Sequence, residues 1–209
     1  MHRICFHIGP QEITWVGVMI VLGFFAGLAN WAFLGRREGK DANFCSDLLL
    51  WIMLSGILGS RLAYVMSDLR YFLENPFRIV LVNQGGLVFY GCLVGGGLAV
   101  AVFARLRNMR FMSLVDFVVT SLPLGHVFGR IGCFLNGCCF GSRYDGWSHV
   151  TYPVGSFPWQ AQVDAGLIDR SSTSLGVYPV QLYEAGANLA IFLLLAWTYR
   201  RRRRDGQVL

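Results

Sequence analysis

Charged side chains are scarce in this sequence, and their scarcity excludes an ordinary soluble domain. Only 14% of the 209 residues are charged, whereas 55% are hydrophobic, and a soluble domain usually carries about 25% charged residues. The same apolar content excludes a disordered chain, and six cysteines are too few for a disulfide-stapled scaffold. We therefore predict an integral membrane protein.

Other signals are missing from the sequence and narrow the range of functions. The sequence has no phosphate-cradling glycine loop before a soluble helix, no Cys-x-x-Cys pair and no cysteine cluster flanked by histidine or acidic residues. We therefore expect no cofactor and no metal. The net charge of +6 comes from basic residues that stand between apolar runs, so we expect no nucleic-acid partner. We also expect no internal repeat and no cleavable signal peptide.

Five apolar runs approach the length of about 20 residues that crosses the hydrocarbon core of a membrane. They cover residues 13–34, 45–66, 87–104, 111–132 and 185–199. Backbone polar groups must be paired within lipid, so these runs predict an all-α, polytopic membrane helix bundle. We expect residues 1–209 to form a single membrane domain with an outer loop at about 142–180.

Basic residues follow alternate runs and predict the orientation of the chain. The clusters contain Arg36, Arg37 and Lys40 after the first run, Arg105, Arg107 and Arg110 after the third, and Arg200 to Arg204 after the fifth. Arginine and lysine accumulate in cytoplasmic loops. The N-terminus is therefore expected outside and the C-terminus in the cytoplasm.

Polar side chains from four runs are expected at one depth near the outer face. They are Arg61, Tyr90, Arg130 and Glu184. Each alone has a simpler explanation, since an arginine near a helix end extends to the interface, a tyrosine sits among headgroups, and a glutamate pairs with an arginine. Together, two arginines at the depth of lipid phosphates indicate a site for a lipid phosphate or another anion.

His126 lies four residues before Arg130, on the same face of the predicted helix. A histidine here can take up a proton near neutral pH, or it can simply hydrogen-bond to a neighbouring helix. The segment 129–141 also holds Cys133, Cys138 and Cys139. A disulfide from Cys133 to either later cysteine, or a packing role, is favoured over a metal site.

Five stretches with distinctive residues follow one another along the sequence. They are Ile8-Gly9-Pro10 with Trp15, Gly59-Ser60-Arg61-Leu62-Ala63-Tyr64, Gly85-Gly86-Leu87-Val88-Phe89-Tyr90-Gly91, Gly129-Arg130-Ile131-Gly132 with Phe134, Asn136, Gly137 and Gly141, and Pro179-Val180-Gln181-Leu182-Tyr183-Glu184. In this order they resemble the bacterial prolipoprotein diacylglyceryl transferase family. The resemblance implies transfer of the diacylglyceryl group of phosphatidylglycerol to the lipobox cysteine of a prolipoprotein signal peptide, with release of glycerol 1-phosphate. It also implies a location in the bacterial inner membrane, among membrane lipids.

The resemblance assigns roles to particular residues. Arg130, Tyr90 and His126 become the catalytic candidates, with Arg130 on the phosphate. The substrate-binding candidates are Arg61, Arg130, Asn136, Gly137, Gly141, Gln181, Tyr183 and Glu184. The departing phosphate needs fixed positive charge, which the two arginines would supply. The attacking thiol must ionise, which requires a base.

The sequence departs from the family pattern in three respects. Tyr90 stands where many members have a histidine thought to be the base, so Tyr90, His126 or another route must ionise the thiol. Cys133 and Cys138 replace an asparagine and a glutamate of many members. The family continues with two further spans that carry another arginine and glutamate, so this chain is expected to lack them.

Two other functions compete with the transferase. The absence of the further spans favours a truncated, non-catalytic lipid-binding relative. The three cysteines suggest a membrane thiol oxidoreductase as the other alternative. The lack of a Cys-x-x-Cys pair argues against that function.

Overall fold

Helices dominate the structure, a computed structural model that describes residues 4–9, 11–81 and 86–209. Two short strands, β1 (Ile4–Ile8) and β2 (Gln11–Thr14), pair in antiparallel fashion before the first helix. The longer helices are α1 (Trp15–Gly35), α2 (Ala42–Ser67), α4 (Phe89–Leu106), α6 (Leu122–Asn136) and α8 (Val180–Arg201). Shorter helices are α3 (Leu69–Glu74), α5 (Phe111–Val119) and α7 (Phe157–Asp164).

Within the described residues, five helical stretches are long and apolar enough to cross a membrane. They are Trp15–Glu38, Ala42–Ser67, Phe89–Leu106, Phe111–Asn136 and Val180–Arg201. The all-α, multi-pass prediction is confirmed, and each stretch overlaps one of the five apolar runs. The hairpin of β1 and β2 was not predicted. Pro10 and Gly85, two residues of the family resemblance, lie outside the described residues.

The fourth stretch is interrupted, although the sequence predicts one continuous helix. It is divided into α5 and α6, with Thr120 and Ser121 between them. Pro123 stands in the first turn of α6, where its missing N–H costs no helical hydrogen bond. Asn30 donates to both hydroxyls, at 3.2 Å to Thr120 and 2.9 Å to Ser121. The side-chain hydroxyls at the break between α5 and α6 therefore have a hydrogen-bond partner in α1.

The chain divides into two compact units. The first contains residues 1–30 and 119–200, and the second contains residues 31–118 and 201–209. The sequence predicts one membrane domain, which stays a prediction.

The second unit is built around the close approach of α2 and α4. Gly59, Gly91 and Gly95 lie where the two backbones meet, and a Cβ added at Gly95 would stand 2.2 Å from the carbonyl oxygen of Ser55. Small residues permit such contact between helices in lipid. An apolar groove of about 530 Å³ lies along this pair and is lined at one end by Tyr90.

The basic helix ends of the second unit meet acidic partners. Arg202 pairs with Glu38 at 2.6 Å, and Arg107 pairs with Asp47 at 2.7 Å. These contacts gather the chain that follows α1, α4 and α8 at one end of this unit. This placement agrees with the prediction that the three arginine clusters lie on the same side of the membrane. Which side that is stays a prediction.

Candidate active site

The site in the first unit starts from an ion pair between two helices. Arg130 of α6 pairs with Glu184 of α8, and the paired Oε2 atom of Glu184 is buried. About a quarter of the Arg130 side chain remains exposed, 26% by area. The pair thus holds a guanidinium in place at a partly open position, where it can also reach an external anion.

His126 lies one turn before Arg130 on α6 and contacts the same guanidinium. Arg130 Nε donates to His126 Nε2 at 3.3 Å. A guanidinium has donors but no acceptor, so this contact places the lone pair of the imidazole at Nε2. The predicted proximity of the two residues is therefore present.

The end of α6 places the next candidate residues. Gly137 ends the helix in the left-handed region, at φ +73, and Cys138 N donates to Cys133 O at 3.1 Å. Asn136 is the last residue of α6, and its Oδ1 is buried with no hydrogen bond to the described residues. That oxygen is available to a donor from a bound molecule.

Gly141 lies against the chain that enters α8. Its N–H donates to the carbonyl oxygen of Tyr178 at 3.0 Å, and a Cβ at this position would stand 2.7 Å from the Val180 side chain. Gly141 therefore permits a close approach between two segments. Whether Gly137 and Gly141 also contact substrate stays a prediction.

Two further residues of α8 join this region. Gln181 is fully buried and donates from Nε2 to the carbonyl oxygen of Cys138 at 2.8 Å. Tyr183 is exposed, stacks on Tyr178 at 4.8 Å and donates to Ser148 at 3.1 Å. Gln181 thus fixes the segment after α6 on α8, whereas Tyr183 offers an aromatic face beside it.

The segment between α6 and α8 has a core of its own, whereas the sequence predicts only an outer loop at about 142–180. Tyr152 and Val177 are buried, and Gln162 accepts from Leu175 N at 2.7 Å. The Tyr152 hydroxyl makes no hydrogen bond of ordinary geometry with the described residues. Burial raises the pKa of Tyr152, and the nearby Gln181 amide opposes part of that rise. The phenol is therefore neutral at physiological pH.

Arg61 and Tyr90 belong to the second unit and have different surroundings. The Arg61 guanidinium donates to backbone carbonyl oxygens of the chain between α3 and α4, including Ile79 O at 2.9 Å and Gly86 O at 3.1 Å. It therefore ties residues 78–81 and Gly86 to α2. Tyr90 is 76% exposed at the start of α4. The structure thus brings together Arg130, His126, Glu184 and Gln181 in one unit, and the predicted meeting with Arg61 and Tyr90 stays a prediction.

One feature of the site was not anticipated from the sequence. The sulfur atoms of Cys133, Cys138 and Cys139 lie within 4.8 Å of one another. The spacing of the three cysteines carries this signal, but without histidine or acidic neighbours the sequence favours a disulfide or a packing role. All three thiols are free in the structure.

Comparisons with known proteins agree on one family. A family model described as prolipoprotein diacylglyceryl transferase matches residues 3–209. Proteins named phosphatidylglycerol–prolipoprotein diacylglyceryl transferase are similar to this chain in several bacteria. That of Synechococcus elongatus is 33% identical over 202 residues, which cover 95% of this chain and 65% of the relative. That of Xanthomonas campestris is 34% identical over an alignment of 213 positions, which covers 96% of this chain and 70% of the relative.

A third relative, from Pseudoalteromonas translucida, is 34% identical over an alignment of 212 positions. The alignment covers 98% of this chain and 72% of the relative. The chain therefore spans roughly two thirds of the length of these curated relatives, and slightly less for the relative from Synechococcus elongatus.

Proposed function

The chain belongs to the prolipoprotein diacylglyceryl transferase family, and we propose that it transfers the diacylglyceryl group of phosphatidylglycerol to the lipobox cysteine thiol of a prolipoprotein. The names of its relatives support both substrates. The reaction joins the thiol sulfur to the glycerol carbon and breaks the bond from that carbon to the phosphate oxygen. Glycerol 1-phosphate leaves, and the proton of the thiol passes to a base.

The observation that carries this proposal is the Arg130–Glu184 pair beside His126. A guanidinium fixed before the reaction stabilises negative charge that develops on a departing phosphate, because no reorganisation is needed at that moment. Arg130 is assigned this role. Its planar array of donors suits two phosphate oxygens at once.

Two groups are candidates for taking the proton of the thiol. His126 Nε2 contacts Arg130 Nε, and His126 is assigned the role of base once Arg130 turns toward the phosphate and releases that nitrogen. Tyr90 is exposed at the mouth of the α2–α4 groove. A phenol is a weaker base than imidazole at neutral pH, which favours His126.

The remaining assignments concern binding. Asn136 Oδ1 and Tyr183 are proposed to contact the lipid headgroup or the peptide, with Gly137, Gly141 and Gln181 shaping the segment that holds them. The apolar groove of about 530 Å³ has the character needed for an acyl chain. Arg61, through its contacts with backbone carbonyls, is proposed to order the entrance of this groove.

The proposed location is the bacterial inner membrane, with the site toward its outer leaflet. The distribution of arginine along the sequence supports this orientation. A lipid headgroup and the cysteine of an exported signal peptide are both presented at that depth.

The proposal is tested with the chain purified in detergent, phosphatidylglycerol and a lipobox peptide. We expect glycerol phosphate release together with a diacylglyceryl mass increase on the peptide cysteine. A peptide with serine in place of the cysteine is the matched control, and the Xanthomonas campestris relative verifies the assay. Lipid binding without release, under conditions in which the relative is active, would instead support the lipid-binding alternative.

A further inference from the structure

Three thiols converge at the end of α6. The sulfur atoms of Cys133, Cys138 and Cys139 all lie within 4.8 Å of one another, and this is the one group with metal-binding spacing among the residues that the structure describes. Cys133 and Cys138 are half-buried, and Cys139 is exposed. Two thiols of the group are therefore partly enclosed by the protein, and the third is open to small molecules.

The backbone turns so that the three sulfurs meet. Gly137 ends α6 with φ +73, which brings Cys138 back over the last turn, where its N–H bonds to Cys133 O. Cys139 follows with φ +58. A non-glycine residue rarely adopts this left-handed conformation, and such residues collect at functional sites. The conformation returns the third thiol to the same point.

The geometry fits a soft metal ion. Zinc–thiolate bonds are about 2.3 Å long, so sulfurs around a tetrahedral zinc ion are about 3.8 Å apart. Moving three sulfurs from within 4.8 Å to that separation requires shifts of about 1 Å or less. We propose that Cys133, Cys138 and Cys139 bind a thiophilic cation, best represented by zinc, as three thiolate ligands with a fourth position open.

The location of this tricysteine site connects it to the proposed active site. Cys133 lies one helical turn after Arg130, and Gln181 lies one turn before Glu184. Gln181 bonds to Cys138 O, whereas Glu184 pairs with Arg130. The same two helices thus hold both features about one turn apart.

The open position suits a thiol, and this use of the site rests on the proposed function. A cation held by the three cysteines would favour the thiolate form of a substrate thiol at the open position, and the proton of that thiol would pass to the base named under the proposed function. Its sulfur then forms the bond to the glycerol carbon while the carbon–oxygen bond to the phosphate breaks. No electron is gained or lost, and the tricysteine site is unchanged after the product leaves.

Cadmium is the probe for the first test, because its thiolate complexes absorb in the ultraviolet. The full chain in detergent is reduced, freed of reductant and titrated with Cd²⁺, and zinc content is measured in parallel. We expect one cadmium per chain and protection of three thiols from alkylation. The Cys139→Ser variant removes the exposed ligand and should weaken binding by at least about tenfold.

Cys5→Ser with Cys92→Ser is the matched control, since both residues lie outside the cluster. This variant should bind cadmium as the unaltered chain does. Cadmium binding by the triple Cys133→Ser, Cys138→Ser, Cys139→Ser variant that equals binding by the unaltered chain would overturn the site. So would a disulfide from Cys133 to Cys138 or Cys139 in the chain as isolated, found by peptide mass mapping.

A second titration tests the open position. Adding the lipobox peptide to the cadmium-loaded chain should raise the thiolate absorbance by about one third, as three sulfur ligands become four. The serine peptide should leave it unchanged, and equal spectra with both peptides would overturn the role in thiol binding. These readouts need no turnover: metal binding without transfer would contradict the proposed function alone, and transfer without metal binding would contradict the tricysteine site alone.

Discussion

At the scale of single residues, Arg130 combines two contacts that compete for one guanidinium. It pairs with Glu184 and donates to His126. Both contacts use the Nε–H of Arg130, and a phosphate would bind the terminal nitrogens. In the proposed mechanism, the turn of Arg130 toward that phosphate links substrate binding to the release of His126. The carboxylate of Glu184 keeps the guanidinium at its place during this exchange.

Replacing Arg130 should affect the reaction far more than the fold. Arg130→Ala is expected to lower the rate of glycerol phosphate release by about 100-fold or more, because a preorganised charge at the phosphate is lost. Arg130→Lys keeps the charge without the planar fork and should be intermediate. Arg143→Ala is the control, because Arg143 pairs with Asp145 at an exposed position. An unchanged rate in Arg130→Ala would refute the assignment.

At the scale of elements, the packing of α2 against α4 depends on glycine. The two backbones approach so closely at Gly59, Gly91 and Gly95 that side chains at these positions would meet carbonyl oxygens or backbone carbon atoms. Gly97 is on the same helix as Gly95 but has open space at the position of a Cβ. Substitutions at Gly95 and Gly97 therefore distinguish the effect of the contact between α2 and α4 from the general effect of glycine in a helix.

Gly95→Ala should destabilise the chain by about 1–3 kcal/mol, since a methyl group forces the two helices apart. Gly97→Ala should be neutral or slightly stabilising, because alanine favours the helix and meets nothing. Thermal unfolding in one detergent measures both. Equal unfolding temperatures for the two variants would show that the close approach of α2 and α4 does not contribute to stability.

At the scale of the whole molecule, chain segments distant in sequence are joined through Asp116 in the second unit. This carboxylate is fully buried and accepts hydrogen bonds from the backbone N–H groups of Gly206, Val208 and Leu209, at 2.7–3.1 Å. Arg202 lies 3.6 Å away and also pairs with Glu38. The residues after α8 are thus fastened to α5.

Asp116→Ala should cost at least about 3 kcal/mol, because it leaves three buried or partly buried backbone N–H groups without their acceptor and removes one of the two acidic partners of Arg202. Asp47→Ala is the comparison: Asp47 forms an ion pair with Arg107 at a half-exposed position, worth about 0–1 kcal/mol. Unfolding temperature and protease sensitivity of residues 201–209 measure both variants. A change in Asp116→Ala no larger than that in Asp47→Ala would contradict the proposed contribution of this buried carboxylate.

Much of the fold was predictable because lipid imposes a simple rule on sequence. A span must be apolar over about 20 residues and must pair its own backbone groups, so length and composition alone located five helices. The interruption at Thr120 and Ser121 was missed, since both residues occur readily within helices and their hydroxyls find Asn30 and Gly27 as partners only in the tertiary structure. The hairpin of β1 and β2 is too short for its alternation to stand out.

The sequence by itself determined the membrane class, the family resemblance and the residues Arg130, His126, Glu184 and Gln181 as candidates. Helical spacing placed His126 beside Arg130, because neighbours on one helix depend only on local geometry. The tertiary structure decided which residues meet from distant segments. It paired Arg130 with Glu184 and turned Arg61 toward backbone carbonyls. The local turn after α6 brought the three thiols together. These contacts depend on how helices pack and where a turn reverses, and single-sequence spacing does not encode either.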